Sequence, residues 1–348
     1  MQRRSNVMKV KNIFLVFCLA FVLSLPVLAS AETITLSFAD QNSDISWGPV
    51  HATQPWVKQV EKATNGRVKI EVYPNQTLAK GTQTWNAVKD GIADMGWYFL
   101  GYASGLAPYA EVITLPGLPF RTAEKGSEMF WKLYEKFPAM QEELGDNKIL
   151  LLYTGSPTIL LMPKKPVKKL EDLRGMKIRS HTGPIVEFYK KLGAVPVFLP
   201  MPDCYVAMQR GTVDAIGAAY EPIPGFKLNE VTKYITDNTP LNVAHIAVIM
   251  NKKKWESLPK DIQDAIMSVS GLEGSKFFGL NFFDSANAPI KKMVQEKTDI
   301  EIYTLPDAER QRWIDVGAKP VWEEWVKKME SEGHTKARDI LNAALEMM

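Results

Sequence analysis

The stretch Leu170-Glu-Asp-Leu-Arg-Gly175-Met-Lys-Ile-Arg179 reads as a strand entered from a turn. Asp172 and Gly175 are turn formers, after which Met176 and Ile178 alternate with the charged Lys177 and Arg179. Arg179 therefore stands at the C-terminal end of a strand. In α/β sheets that end is where ligands bind, so the arginine is a candidate anion anchor. On spacing alone, a solvated arginine paired with a surface carboxylate is the competing reading.

Downstream, the pattern continues as alternating elements. Pro184–Leu192 is a helix closed by Gly193, and Ala194–Phe198 a strand. Asp203–Arg210 is a helix closed by Gly211, and Val213–Ala218 a strand. The same order stands upstream: strand Thr33–Ala39, a helix carrying Trp56, Val60 and Ala63, and strand Arg67–Tyr73. A short helix with Trp85 and Val88 and strand Ile92–Phe99 complete it. Ala87-Val-Lys-Asp-Gly91-Ile-Ala-Asp94 overlays Ala207-Met-Gln-Arg-Gly211-Thr-Val-Asp214: helix end, glycine cap, apolar residues, aspartate. Two lobes of similar plan follow, each a parallel-rich α/β sheet with covered faces.

Lys148–Tyr153 is a buried strand, and Thr154-Gly-Ser156-Pro157 breaks the pattern where the chain crosses between lobes. It crosses back at the buried strand Ala244–Asn251. A helix from Pro259 to about Ala288, ~45 Å at 1.5 Å per residue, lies across both lobes, with Pro289 kinking or interrupting it. Asp307–Met329 and Thr335–Met348 are C-terminal helices. The expected lobes are residues 32–155 with 245–285, and residues 156–244 with 286–348 plus the C-terminal helices.

The first 31 residues read as a separate device. Arg3, Arg4, Lys9 and Lys11 precede an apolar run, Ile13–Leu28, and then the small-x-small signal Ala29-Ser30-Ala31. This is the pattern of a secretory signal peptide cut after Ala31, so the mature protein is expected to be exported. Removing it leaves 38 basic against 39 acidic side chains, so the nominal basicity is no nucleic-acid footprint. Cys204 is the one cysteine beyond the signal, and Asp203 beside it raises rather than lowers a thiol pKa. The four histidines show no metal-ligand spacing. No nucleophile elbow and no glycine-rich phosphate loop appear. Neither an enzyme nor a cofactor is expected.

Several segments in fixed order carry a resemblance. They are Gly66-Arg67-Val68 with Tyr73-Pro74, Val88-Lys-Asp-Gly-Ile-Ala-Asp94, Leu115-Pro116, Asp172–Arg179, Tyr205–Asp214, and Trp255-Glu-Ser-Leu-Pro259. Together they resemble the solute-binding subunit of TRAP transporters, the DctP family. The resemblance implies a two-lobed periplasmic-binding fold of the type II kind, with a long helix spanning both lobes. It implies a monomer that closes over a small organic acid, carboxylate or sulfonate, and delivers it to a membrane permease. An ABC-transporter or sensor receptor of similar shape is the alternative. The arginine that grips the carboxylate falls on Arg179.

Sialic-acid-binding members carry a second, upstream arginine and a later asparagine; ungapped alignment puts Ile159 and Ala218 there. The expected ligand is therefore a monoanion with an apolar or compact body. Trp47, Trp97, Phe99, Tyr153 and Tyr220 are the candidate pocket walls, each near a strand end or loop start, and Gln41 after the first strand is a candidate hydrogen-bonding residue. Strand alternation puts Trp97 and Phe99 on one face and Tyr98 on the other.

Overall fold

The computed structural model describes residues 33–347. The expected signal peptide, residues 1–31, lies outside the described residues. The fold is mixed α/β, built on two sheets.

The first sheet takes β1 (Ile34–Ala39), β2 (Val68–Tyr73), β3 (Met95–Phe99), β4 (Asn147–Thr154) and β10 (His245–Asn251), in the order β2-β1-β3-β10-β4. The second takes β5 (Ile159–Met162), β6 (Lys177–Ser180), β7 (Val195–Phe198), β8 (Ala215–Ala218), β9 (Tyr234–Asp237) and β11 (Glu301–Thr304), in the order β11-β9-β5-β8-β6-β7. The two sheets share a plan. β1 pairs in parallel with β2 and β3, as β6 does with β7 and β8. An antiparallel strand from elsewhere in the chain then covers β3 (β10) and β8 (β5).

The overlaid segments do equivalent work in the two sheets. The Asp94 carboxylate accepts the Ser37 backbone N–H at 2.8 Å, tying the start of β3 to β1. The Asp214 carboxylate accepts the Lys177 N–H at 2.9 Å, tying β8 to β6. Gly91 and Gly211, at φ +78° and +70°, end the preceding helices just before each aspartate.

The chain passes from the first sheet to the second between Thr154 and Ile159. It returns between Asp237 and His245. The sequence reading missed β5 and β9. Each has four residues, as β6, β7 and β8 do, but neither is entered from a glycine turn as those are at Gly175, Gly193 and Gly211.

The long helix differs from expectation at both ends. It does not begin at Pro259: the Lys260–Ser268 helix stops, and a separate run covers Gly271–Lys297. The break falls at Ser270-Gly271, where Gly271 takes the left-handed conformation at φ +60°; the Val269 carbonyl there accepts the indole N–H of Trp56 at 3.1 Å and the Ile266 carbonyl the Ser270 hydroxyl at 2.8 Å. Pro289 sits inside the run without ending it; the irregularity falls a turn earlier, as a π turn over Gly279–Asp284. The run spans both cores. Phe278, Phe282 and Phe283 pack into the first, and Ala286, Ile290 and Val294 into the second.

The C-terminal helices brace the structure. Trp313 and Trp325 are buried. The Lys319–Ser331 helix packs on Pro184–Lys191, and the Ala337–Glu346 helix on Ala123–Lys136. Among the described residues no helix is long and apolar enough to cross a membrane.

Candidate ligand site

β6 delivers Arg179 to the end of the second sheet, beside Val197 of β7 and Ile216 of β8. The residue is 4% exposed. Its Nε donates to the Leu199 carbonyl at 2.9 Å and its Nη1 to the Gly217 carbonyl at 3.1 Å. These bonds fix the plane of the guanidinium. Among the described residues no carboxylate lies within ion-pair distance of it. A buried cation without a counter-ion is costly, and its remaining donors open on a cleft.

That cleft lies between the two sheets and encloses about 710 Å³, its opening included. The first sheet contributes Gln41, Trp97 and Phe99; the second, Arg179, His181 and Ala218; the crossings, Ser156, Thr158 and Asn242. Parallel strands end here from both sides, which is where their carboxyl ends can present loops to a ligand.

Its wall is aromatic. The Trp97 and Phe282 rings stack with centroids 6.2 Å apart, and Phe99 meets Tyr102 and His181 edge-on at 4.9 and 5.0 Å. His181 is held as one tautomer. Nδ1 lies 2.6 Å from the Thr182 carbonyl, which can only accept, so Nδ1 carries the proton. Nε2 then accepts from Asn242 Nδ2 at 2.6 Å. Burial and the nearby Arg179 charge push the imidazole down to about 3, so it enters the site neutral.

Of the six residues put forward with Arg179, three reach the cleft: Trp97, Phe99 and Gln41, whose Oε1 accepts from the Tyr102 hydroxyl at 2.9 Å. Tyr98 points away, against Trp85. The other three do not line it. Tyr153, on β4 behind β10, is fully buried and accepts the Trp97 indole N–H at 2.5 Å, supporting that ring from behind. Tyr220 turns into the second core, its hydroxyl donating to Asp237 at 3.2 Å; its neighbour Glu221 lines the cleft instead. Trp47 stacks on His51 at 4.0 Å and donates to Ser285. Ile159 likewise belongs to the second core, and Thr158 before it faces the cleft.

Sequence reasoning missed Tyr102, His181, Asn242, Glu221 and the phenylalanines of the π turn. The run Phe277-Phe278-Gly-Leu-Asn-Phe282-Phe283 was a visible signal, since four phenylalanines in seven positions overfill one helical stripe.

Buried acids give a pH prediction. Burial raises Asp40 to about 6, Glu111 to about 7, and Glu143 and Glu221 to about 8. Each binds its proton more tightly folded than unfolded, so the stability it permits is complete below about 4 and is lost as pH climbs through 6 to 8. His181 and His245, both lowered by burial, work oppositely: their contribution is present above about 6.5 and is lost as pH falls. Four carboxyls outweigh two imidazoles, so the melting temperature is expected to decline between pH 5.5 and 8.5. Glu143→Gln, which sits in the first lobe away from the cleft, should flatten that slope. A melting temperature that rises across the interval would contradict the assignment.

Comparison with known proteins agrees with this architecture. Residues 47–329 match the model of the family described as bacterial extracellular solute-binding protein, family 7 (DctP). A TRAP solute-binding protein from Rhodoferax ferrireducens, solved with copurified benzoate, is 28% identical and superposes with a TM-score of 0.86, over 90% of this chain and 97% of that one. A marine-metagenome TRAP solute-binding protein specific for aromatic acid ligands, solved with 3-hydroxybenzoate, is 27% identical with a TM-score of 0.85, over 91% and 98%. The C4-dicarboxylate-binding periplasmic protein DctP of Rhodobacter capsulatus is 28% identical over 91% of this chain and 94% of its own. With a family match over most of its length and close superposition on solved members, this chain belongs to the DctP family of extracellular solute-binding proteins, the receptors of TRAP transporters.

Proposed function

We propose that this protein is the periplasmic receptor of a TRAP transporter for a monocarboxylic acid with an aromatic or similarly compact apolar body. One observation carries the reading: Arg179 is almost fully buried, held flat by two backbone carbonyls, and without an ion-pair partner among the described residues at the end of an aromatic cleft. A guanidinium donates two parallel hydrogen bonds to a carboxylate and stays charged when desolvated. Trp97, Phe99 and Phe282 offer flat faces for the acid's body, and Gln41 a polar contact. Relatives solved with benzoate, 3-hydroxybenzoate and mandelate support the choice of ligand class.

The same reading includes secretion with removal of residues 1–31, action as a monomer, and transfer to the permease without chemical change to the ligand. The lobes, residues 32–155 with 245–285 and 156–244 with 286–348, close as bodies about the 154–158 and 238–245 crossings.

A thermal-shift screen of the protein beginning at Glu32 tests it. Aromatic monocarboxylates at about 100 times Kd should stabilise by about 2.7 kcal/mol, because they bind only the folded form. Shifts with sugar acids or C4-dicarboxylates and none with aromatic monocarboxylates would overturn it.

A further inference from the structure

The cleft has a second polar group that the carboxylate does not need. Glu221 lines it and is 4% exposed. Its Oε1 accepts the Gly48 backbone N–H at 3.1 Å. Its Oε2 makes no hydrogen bond within the described protein, yet it is not among the sealed, unpartnered atoms, so it gives on to the cavity. Behind it Asp40 is 2% exposed. Asp40 Oδ1 is satisfied by the Asn42 N–H at 2.9 Å and Asn42 Nδ2 at 2.8 Å, while its Oδ2 is buried without a partner.

The local chain is built to hold this carboxyl. A Cβ at position 48 would fall 2.1 Å from the Phe282 ring, so only glycine lets the backbone N–H reach Glu221 past that wall. Arg179 enters the cavity from β6, whereas Glu221 follows β8 and is held by Gly48; the Asp40 charge acts on Glu221, and both act on Tyr153. One cavity thus holds a cation, an aromatic wall and a separate carboxyl.

We propose that Glu221 sets the specificity of the cleft by hydrogen-bonding a hydroxyl carried on the ligand away from its carboxylate, so that the ligand is a hydroxy monocarboxylic acid. A hydroxyl both donates and accepts, so it satisfies Oε2 whether or not Glu221 carries a proton. A second carboxylate would be set against the Asp40 charge, and against Glu221 wherever that carboxyl is ionised. The acid lacking the hydroxyl would leave Oε2 buried and unpaired on closure, which is the form of discrimination polar sites achieve best.

The inference rests on Arg179 as the carboxylate anchor, and the test separates the two. Isothermal titration uses matched probes: benzoate with 3- and 4-hydroxybenzoate, phenylacetate with 3-hydroxyphenylacetate, and isophthalate and 3-(aminomethyl)benzoate as controls. In the wild type at least one hydroxy acid is expected to bind about tenfold tighter than its parent. Glu221→Leu should bring that ratio to about one, and Glu221→Gln, whose amide still pairs with a hydroxyl, should keep part of it. A residue that only braces closure through Gly48 would weaken parent and hydroxy acid alike and leave the ratio unchanged. That result overturns the inference, as does a wild-type ratio near one or a preference for the diacid or the ammonium-bearing acid. If benzoate binds and is lost with Arg179→Ala while hydroxylation brings nothing, this inference fails and the receptor reading stands. If no probe binds the wild type, both fail.

Discussion

Arg179→Ala is expected to lower affinity for any carboxylate ligand by about 10²–10³-fold, equivalent to about 3–4 kcal/mol. The ligand's carboxylate would be carried into an apolar cleft and left without its charge-assisted hydrogen bonds. The unliganded protein should melt close to the wild-type temperature. The variant loses two hydrogen bonds, to Leu199 and Gly217, but also sheds a buried cation that has no counter-ion. The signature is therefore a lost ligand-induced shift on a nearly unchanged baseline. Arg179→Lys keeps the charge but not the planar fork, nor the two carbonyl bonds that aim it, and should recover only part of the affinity. Titration showing Arg179→Ala within about threefold of wild type (~0.7 kcal/mol) would remove the anchor.

Asp284→Ala should have the largest effect on stability of any single polar change near the site. Asp284 ends the π turn of the long helix and joins three segments. Its Oδ1 accepts the Ala123 N–H at 2.8 Å and the Ser156 hydroxyl at 2.9 Å, and its Oδ2 accepts the Glu124 N–H at 2.9 Å. Two of the free N–H groups at the start of the Ala123–Lys136 helix are thus capped from a distant element, while the Thr122 side chain takes the Lys125 N–H. Ser156 lies on the first crossing and lines the cleft. Removing the carboxylate strands two part-buried helix N–H donors and loosens the crossing, a loss of about 3 kcal/mol and on the order of 5 °C in melting temperature. Asp284→Asn keeps the shape but turns an amide N–H toward a backbone N–H, so it should recover little. A melting temperature unchanged in Asp284→Ala would show that the crossing is held by other contacts.

Much of the fold was legible because its signals are local. β1 and β2 announce themselves by alternation, and β4 and β10 by unbroken apolar runs. The repeated glycine–aspartate segment showed two lobes before either sheet was seen, because each aspartate must return to the neighbouring strand to satisfy a backbone N–H. What stayed hidden depends on distant partners. β5 and β9 are four-residue strands whose extended form comes from pairing with each other, with β8 for β5 and with β11 for β9. The break at Ser270-Gly271 rests on a left-handed glycine, and the carbonyl it exposes at Val269 is met by Trp56, far away in sequence.

The site divides in the same way. By itself the sequence determined that Arg179 ends a strand and that Trp97 and Phe99 share a face, since each follows from backbone period and turn chemistry. Only the tertiary structure decided which side chains meet. It turned Tyr220 and Ile159 into the second core, set Tyr153 behind Trp97, and brought His181, Phe282 and Glu221 into one cavity. The physical reason is that a residue's face follows from its own strand or helix, whereas what that face meets is set by how elements far apart in the chain pack together.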